Sequence, residues 1–222
     1  MKAWTIPSLA ASLALGLASL STAQQVTFTD SGEQIQFDEV HNATNIVGTW
    51  SSGSRHVMTG PEFANPSNLS LNYPKSAGVS YSFTDDGWYE ISRYRYDANG
   101  KDPNCITGHI FWVHGQYQML SNGSLLMHPN GDGFQHILNR CEANSLQILD
   151  YNETEIYNFW RIYTDPRDGF KLHLFGFDNG TVAPQFQVST TPQMLPKARL
   201  RTPPTQVLGK RDGAGLLSWW RS

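Results

Sequence analysis

From Ile46 to Val188 apolar and polar residues alternate with a period close to two, and no window sustains the 3.6-residue period of an amphipathic helix. The alternation predicts ten strands: 46–52, 78–84, 88–96, 109–120, 124–127, 133–137, 146–151, 155–163, 170–177 and 185–188. Turn chemistry falls between them. Asp86-Gly87, Asn122-Gly123 and Asn179-Gly180 are hairpin dipeptides, and Asp165-Pro166-Arg167-Asp168-Gly169 predicts a longer turn.

Many short antiparallel strands joined by tight turns indicate a barrel or a sandwich. Gly48-Thr49-Trp50 resembles the Gly-x-Trp of lipocalin-like barrels, where the Trp plugs the closed end. A small-residue-rich loop and successive hairpins follow it. The expected class is therefore all-β: a single antiparallel β-barrel of lipocalin/calycin type or a closely related sandwich.

The two ends of the chain differ from this body. Lys2, an uncharged apolar run from Ile6 to Leu20, and Ser21-Thr22-Ala23 have the layout of a secretory signal peptide over residues 1–23. Residues 24–196 are expected to form one lumenal domain. Residues 197–222 read as a disordered, proline-rich basic tail. Lys210-Arg211 is a dibasic pair open to processing. The run Gly213 to Trp220 falls short of the ~20 residues that a bilayer span needs.

A secretory route changes the meaning of other residues. Cys105 and Cys141, the two cysteines, should pair in an oxidising lumen. Five N-x-S/T sequons, at Asn42, Asn68, Asn122, Asn152 and Asn179, predict a glycoprotein. Asn122 and Asn179 also sit in turn dipeptides, where a glycan would find solvent.

Residues 24–196 carry 9 Lys+Arg against 18 Asp+Glu, a net of −9. The tail from 197 has 6 basic residues and one acidic, a net of +5. An acidic body repels phosphate. This bears on the stretch GWYEISRYRYD, Gly87 to Asp97, which interleaves rings with two arginines as a single-strand nucleic-acid sheet would. Lumenal placement and the acidic body favour a structural strand instead. Trp88, Glu90, Ser92, Tyr94 and Tyr96 should share one face, with Tyr89, Ile91, Arg93 and Arg95 on the other. Trp88, Tyr94 and Tyr96 are candidates for a client or ligand surface.

Catalytic and cofactor signatures are scarce. The sequence has no Gly-rich phosphate loop, no C-x-x-C and no G-x-S-x-G. His109 and His114 are five apart, on opposite strand faces, and set no metal pattern. Glu153 and Glu155 share a strand face. A glycosidase needs two carboxylates opposed across a cleft. No cofactor is expected, and the chain reads as a non-enzyme.

GTWSSGS, TGPEFANP, GVSYSFTDDGWYEISRYRY, CITGHIFWVHGQY, SNGSL, GDGFQ, DPRDGFKLHLFGFD and APQFQVSTTPQMLP together resemble the fungal reversal-of-Tor-lethality (Rot) family. The resemblance runs from about Ile46 to Pro196. It implies an endoplasmic-reticulum chaperone that assists secretory and cell-wall proteins and supports normal beta-1,6-glucan. It also implies N-glycosylation, attachment by one C-terminal membrane helix, and a pairing of Cys105 with Cys141. Its partners would be unfolded client proteins and other lumenal chaperones, and it carries no catalytic residues over. This sequence departs from the family in its tail, where the helix is missing; as written, the chain would be lumenal or secreted. Two other readings follow from the residues: a wall protein that binds or cleaves glycan through clustered aromatics and carboxylates, and a lipocalin-like carrier of a small apolar ligand.

Overall fold

A computed structural model describes residues 45–203, so the leader expected at 1–23, Asn42 and most of the tail lie outside the described residues. The described residues form twelve strands and no helix. The strands are β1 (Gly48–Ser52), β2 (Ala64–Asn65), β3 (Ser70–Leu71), β4 (Gly78–Phe83), β5 (Trp88–Asp97) and β6 (Thr107–Met119). They continue with β7 (Leu125–Pro129), β8 (Phe134–Asn139), β9 (Leu146–Asp150), β10 (Glu155–Asp165), β11 (Gly169–Gly176) and β12 (Gln185–Ser189). All ten strands expected from the alternation have a counterpart. The extra two, β2 and β3, are two residues long and too short to show a period.

Ten strands make one antiparallel sheet in the order β5-β4-β1-β12-β11-β10-β7-β6-β8-β9. β5 also pairs with β6, from Trp88↔Gln116 to Asp97↔Thr107, so the sheet curls back on itself as a partly closed ring. β6 makes this possible by its length. One edge runs along β5. The other edge serves β8 over Thr107–Trp112 and β7 over Gly115–Met119. Where β6 meets the end of β7, a Cβ on Gly115 would lie 1.9 Å from the His128 carbonyl oxygen, so only glycine fits.

Alternation sends side chains to two cores. The inner one packs Trp50, Tyr81, Phe83, Tyr89, Ile91, Val113, Tyr117 and Leu172, all buried. Trp50, the Trp of the Gly-x-Trp, donates its indole N–H to the Ile46 carbonyl at 2.7 Å. These side chains pack against one another across the interior. A carrier of an apolar ligand needs that space open, so the carrier reading loses its main requirement. The outer core holds Val57, Phe63, Leu71, Tyr94, Ile110, Trp112 and Phe134. It is covered by the β2–β3 turn region and by the chain after β12, through Leu195 and Leu200.

That last segment corrects the tail as read from sequence. The proline spacing suggests that the body ends at 196, but the chain is strapped down for several residues beyond. The Gln193 N–H donates to Thr49 Oγ1 at 2.7 Å, Leu195 N–H to Glu90 Oε2 at 2.6 Å, and Leu200 N–H to Asp132 Oδ2 at 2.7 Å. Arg201 donates to the carbonyls of Asp132 and Gly133 and pairs with Asp150. Prolines fit a segment that bonds through only some of its amides.

Two carboxylates anchor this strap from inside. Glu90 is fully buried on β5, and its second oxygen accepts the Gly60 N–H at 2.6 Å. Burial pushes its carboxyl up to about 7, against the opposing pull of the Leu195 and Gly60 N–H groups. Asp132 is buried against His114 at 2.9 Å. Burial there would raise its carboxyl, but the bonds from His114 and Leu200 hold it below the usual range.

Inside the ring, Arg93 donates to Tyr81 Oη at 2.8 Å and pairs with Glu155 at 3.1 Å. Its guanidinium lies over the Phe111 ring, 4.8 Å from the centroid. Tyr157 donates to Glu155 at 2.5 Å and shares a 2.6 Å bond with Tyr81. Arg95 is instead exposed, with Asp97 at 4.0 Å. The alternation of GWYEISRYRYD thus places one arginine inside and one at the rim, and the rings serve two cores.

Two tests follow. Arg93→Ala removes the cation from a half-buried network and leaves Glu155 unpaired, which should cost about 3 kcal/mol in denaturant unfolding. Arg95→Ala should cost under ~0.5 kcal/mol. Equal losses would contradict the placement. Glu90 binds its proton more tightly folded than unfolded, so its contribution to stability is complete below about pH 4.5 and declines as pH rises toward 7. Unfolding curves of wild type and Glu90→Gln across pH 4–8 should therefore differ in slope, the variant being flatter. Parallel curves would refute the assignment.

Candidate functional site

The C-terminal half of β5 rises toward the disulfide end of the molecule. Tyr94 and Tyr96, two apart on the same face, meet Tyr73, which leaves the short β3. Tyr94 and Tyr96 centroids are 4.7 Å apart, and Tyr73 meets Tyr94 edge-on at 6.3 Å. The Tyr96 hydroxyl donates to that of Tyr94. Ile106, Leu138, Asn104 and Arg140 complete a groove of about 580 Å³.

Each wall is fixed by something beneath it. Tyr73 Oη lies 2.7 Å from His136 Nδ1, while His136 Nε2 is 2.8 Å from the Leu69 carbonyl oxygen. A carbonyl only accepts, so Nε2 carries the proton and Nδ1 accepts from Tyr73. Burial lowers the His136 pKa, with the Leu69 bond acting against it, so the ring stays neutral near pH 7. Burial also pushes the Tyr94 phenol up to about 12, with the Tyr96 bond adding to it. Burial raises Tyr73 as well, so Tyr73 and Tyr94 are uncharged hydroxyl-tipped rings at any physiological pH. Such rings offer apolar area and hydrogen bonds at small entropic cost.

The floor is drawn together by the cysteines. Cys105 and Cys141 are joined by a disulfide with Cα atoms 5.7 Å apart. Asn104, Ile106 and Arg140 are their chain neighbours. Tyr96 and Ile106 stay half exposed, at 50% and 47%.

Tyr94 and Tyr96 therefore stand together, whereas Trp88 does not join them. It sits six and eight residues back along β5, opposite Gln116, roughly 20–26 Å away at the strand rise. Sequence reading missed Tyr73, Ile106 and Leu138. The signal for Ile106 was its place beside a half-cystine. Tyr73 lies outside the alternating segments and gave none.

The carboxylate pair considered for glycan cleavage is not opposed. Glu155 is taken up by Arg93, Tyr157 and Tyr151, while Glu153 is exposed in the loop before β10. Asn68, Asn122, Asn152 and Asn179 are all exposed. His109 and His114 fall on opposite faces: His109 meets Asp97 at 3.0 Å and His114 meets Asp132.

Comparison with known proteins gives this groove a context. A family model described as "Rot1: Chaperone for protein-folding within the ER, fungal" matches residues 46–214. Protein ROT1 of Candida glabrata is 36% identical over 176 residues, which is 78% of this chain and 64% of that protein. Protein rot1 of Aspergillus terreus is 40% identical over 163 residues, 72% of this chain and 69% of the relative. That of Botryotinia fuckeliana is 37% identical over 180 residues, 80% and 67%. The matched part thus spans about two-thirds of these relatives' length. No solved structure matches the chain. With the family matched from the strand region through the strap and beyond, and with relatives 36–40% identical over most of its length, the chain belongs to the Rot1 family of fungal chaperones for protein folding within the endoplasmic reticulum.

Proposed function

We propose that this chain holds unfolded secretory and cell-wall proteins in the endoplasmic reticulum, and that the tyrosine groove is where it holds them. The observation that carries the reading is a half-exposed apolar groove, braced by a disulfide, in a member of a folding-chaperone family. An unfolded client offers apolar side chains and unpaired amides. Tyr73, Tyr94 and Tyr96 offer ring faces and hydroxyls to both. No step of this requires nucleotide.

The rest of the proposal follows from the sequence. Residues 1–23 direct the chain to the lumen, where the domain of residues 24–196 is a calycin-like barrel and Cys105–Cys141 stays oxidised. Asn42, Asn68, Asn122, Asn152 and Asn179 carry glycans. Membrane attachment, as expected for the family, and cooperation with other lumenal chaperones complete the placement. An effect on beta-1,6-glucan arises through client wall proteins.

Aggregation of a reduced secretory protein should be suppressed at an equimolar ratio without ATP. Tyr94→Ala/Tyr96→Ala should lose at least about half of that suppression while its circular dichroism is retained. Suppression that needs ATP, or none at all, refutes the reading. Cys105→Ser should destabilise the fold by roughly 2–4 kcal/mol. Non-reducing peptide mapping that finds both thiols free would contradict the bridge.

A further inference from the structure

The ring has removed one sheet edge and left another. β5 and β9 end the strand order, but β5 is paired on both sides, by β4 and β6. β9 pairs only with β8, so among the described residues it is an end strand of the ten-stranded sheet with one side unpaired along its whole length.

The ladder phase shows what this edge presents. Asn139 N–H donates to the Ser145 carbonyl and Tyr151 N–H to the Gly133 carbonyl. Antiparallel pairs alternate between bonded and non-bonded. Residues 147 and 149 therefore turn their backbone groups toward β8, and Leu146, Ile148 and Asp150 turn theirs outward. Native edges are usually blunted by lysine, proline, a bulge or a cover. The strand LQILD has neither lysine nor proline, and its register with β8 is unbroken from Phe134↔Asp150 to Leu138↔Leu146. Leu146, Ile148 and Leu149 are each about 45% exposed.

The edge is continuous with the groove. Leu146 lies opposite Leu138, a groove residue, and Ile148 lies opposite His136, which holds Tyr73. A strand laid along β9 would put alternate side chains on the face that leads into the tyrosines.

We propose that β9 captures an extended, apolar and non-acidic segment of an unfolded client by strand addition, with the tyrosine groove receiving the side chains at one end. This rests on the chaperone reading. Main-chain bonds to Leu146 and Ile148 carry no sequence preference, which suits a binder of many clients. The net −9 of residues 24–196 disfavours acidic segments.

The test uses the full chain and a fluorescent nine-residue peptide of alternating valine and threonine, read by anisotropy. A second peptide is N-methylated at three consecutive central residues, which blocks pairing on both edges. N-methylation should weaken binding at least about tenfold. Ile148→Pro removes an outward N–H, is tolerated at an edge and should weaken it similarly. Ile148→Thr keeps the N–H and should stay within about threefold. No binding of the plain peptide, or equal binding of both peptides, overturns the proposal, and the second outcome holds even if Ile148→Pro fails to fold. A photo-crosslinker placed at 148 should capture the peptide; capture of a second copy or of residues 204–222 instead overturns it. Unaltered aggregation suppression by a folded Ile148→Pro would sink the edge and leave the groove standing. Absent suppression by the wild type would sink the chaperone reading itself.

Discussion

The pairing of β5 with β6 is the constraint on which the rest depends. It bends the sheet into a ring, and β6 then has to serve three partners. Its free half-edge picks up β8, which picks up β9. The inner core is the content of that ring. The groove exists because the β5 end that carries Tyr94 and Tyr96 lies beside the start of β6, where Gly108 faces Tyr96 and adds no bulk of its own.

A sheet curled this way still has an outer face, and here much of that face is apolar. Ile110, Trp112 and Phe134 would meet water without the strap that follows β12. The strap lays Leu195 and Leu200 on that face and is held both by its amides and by side chains such as Arg201. Thr49, Glu90 and Asp132 accept from the amides of Gln193, Leu195 and Leu200. Burying a carboxylate is costly, and its oxygens are correspondingly well bonded. The cover stops short of the disulfide end. Apolar surface left open there is the surface available to another chain.

Much of this was legible in the sequence, for a physical reason. Strands with one face to each of two cores show a period of two, and glycine dipeptides mark their turns, so the strands from Gly48 to Ser189 could be read. The strap could not. Pro192 and Pro196 look like a solvated linker, and nothing local reveals that Gln193 and Leu195 meet Thr49 and Glu90, more than a hundred residues away. Glu90 was legible only as one member of the face that Trp88, Tyr94 and Tyr96 share, with no local sign that it is a buried anchor. The groove was half legible: Tyr94 and Tyr96 stood out as rings on one face, but Trp88 shared that face while lying at the far end of the strand. Tyr73 reaches the groove through His136, a contact set by tertiary packing alone.

The central claim is that unfolded chains bind at the disulfide end of the molecule. Hydrogen-exchange mass spectrometry of the whole chain, with and without a reduced secretory protein, tests this directly. Slowed exchange should be confined to residues 72–74, 94–97, 104–108 and 138–150, with the strap at 193–203 unchanged. Protection centred on the strap or on β10–β11, or no protection while aggregation is suppressed, would contradict the account.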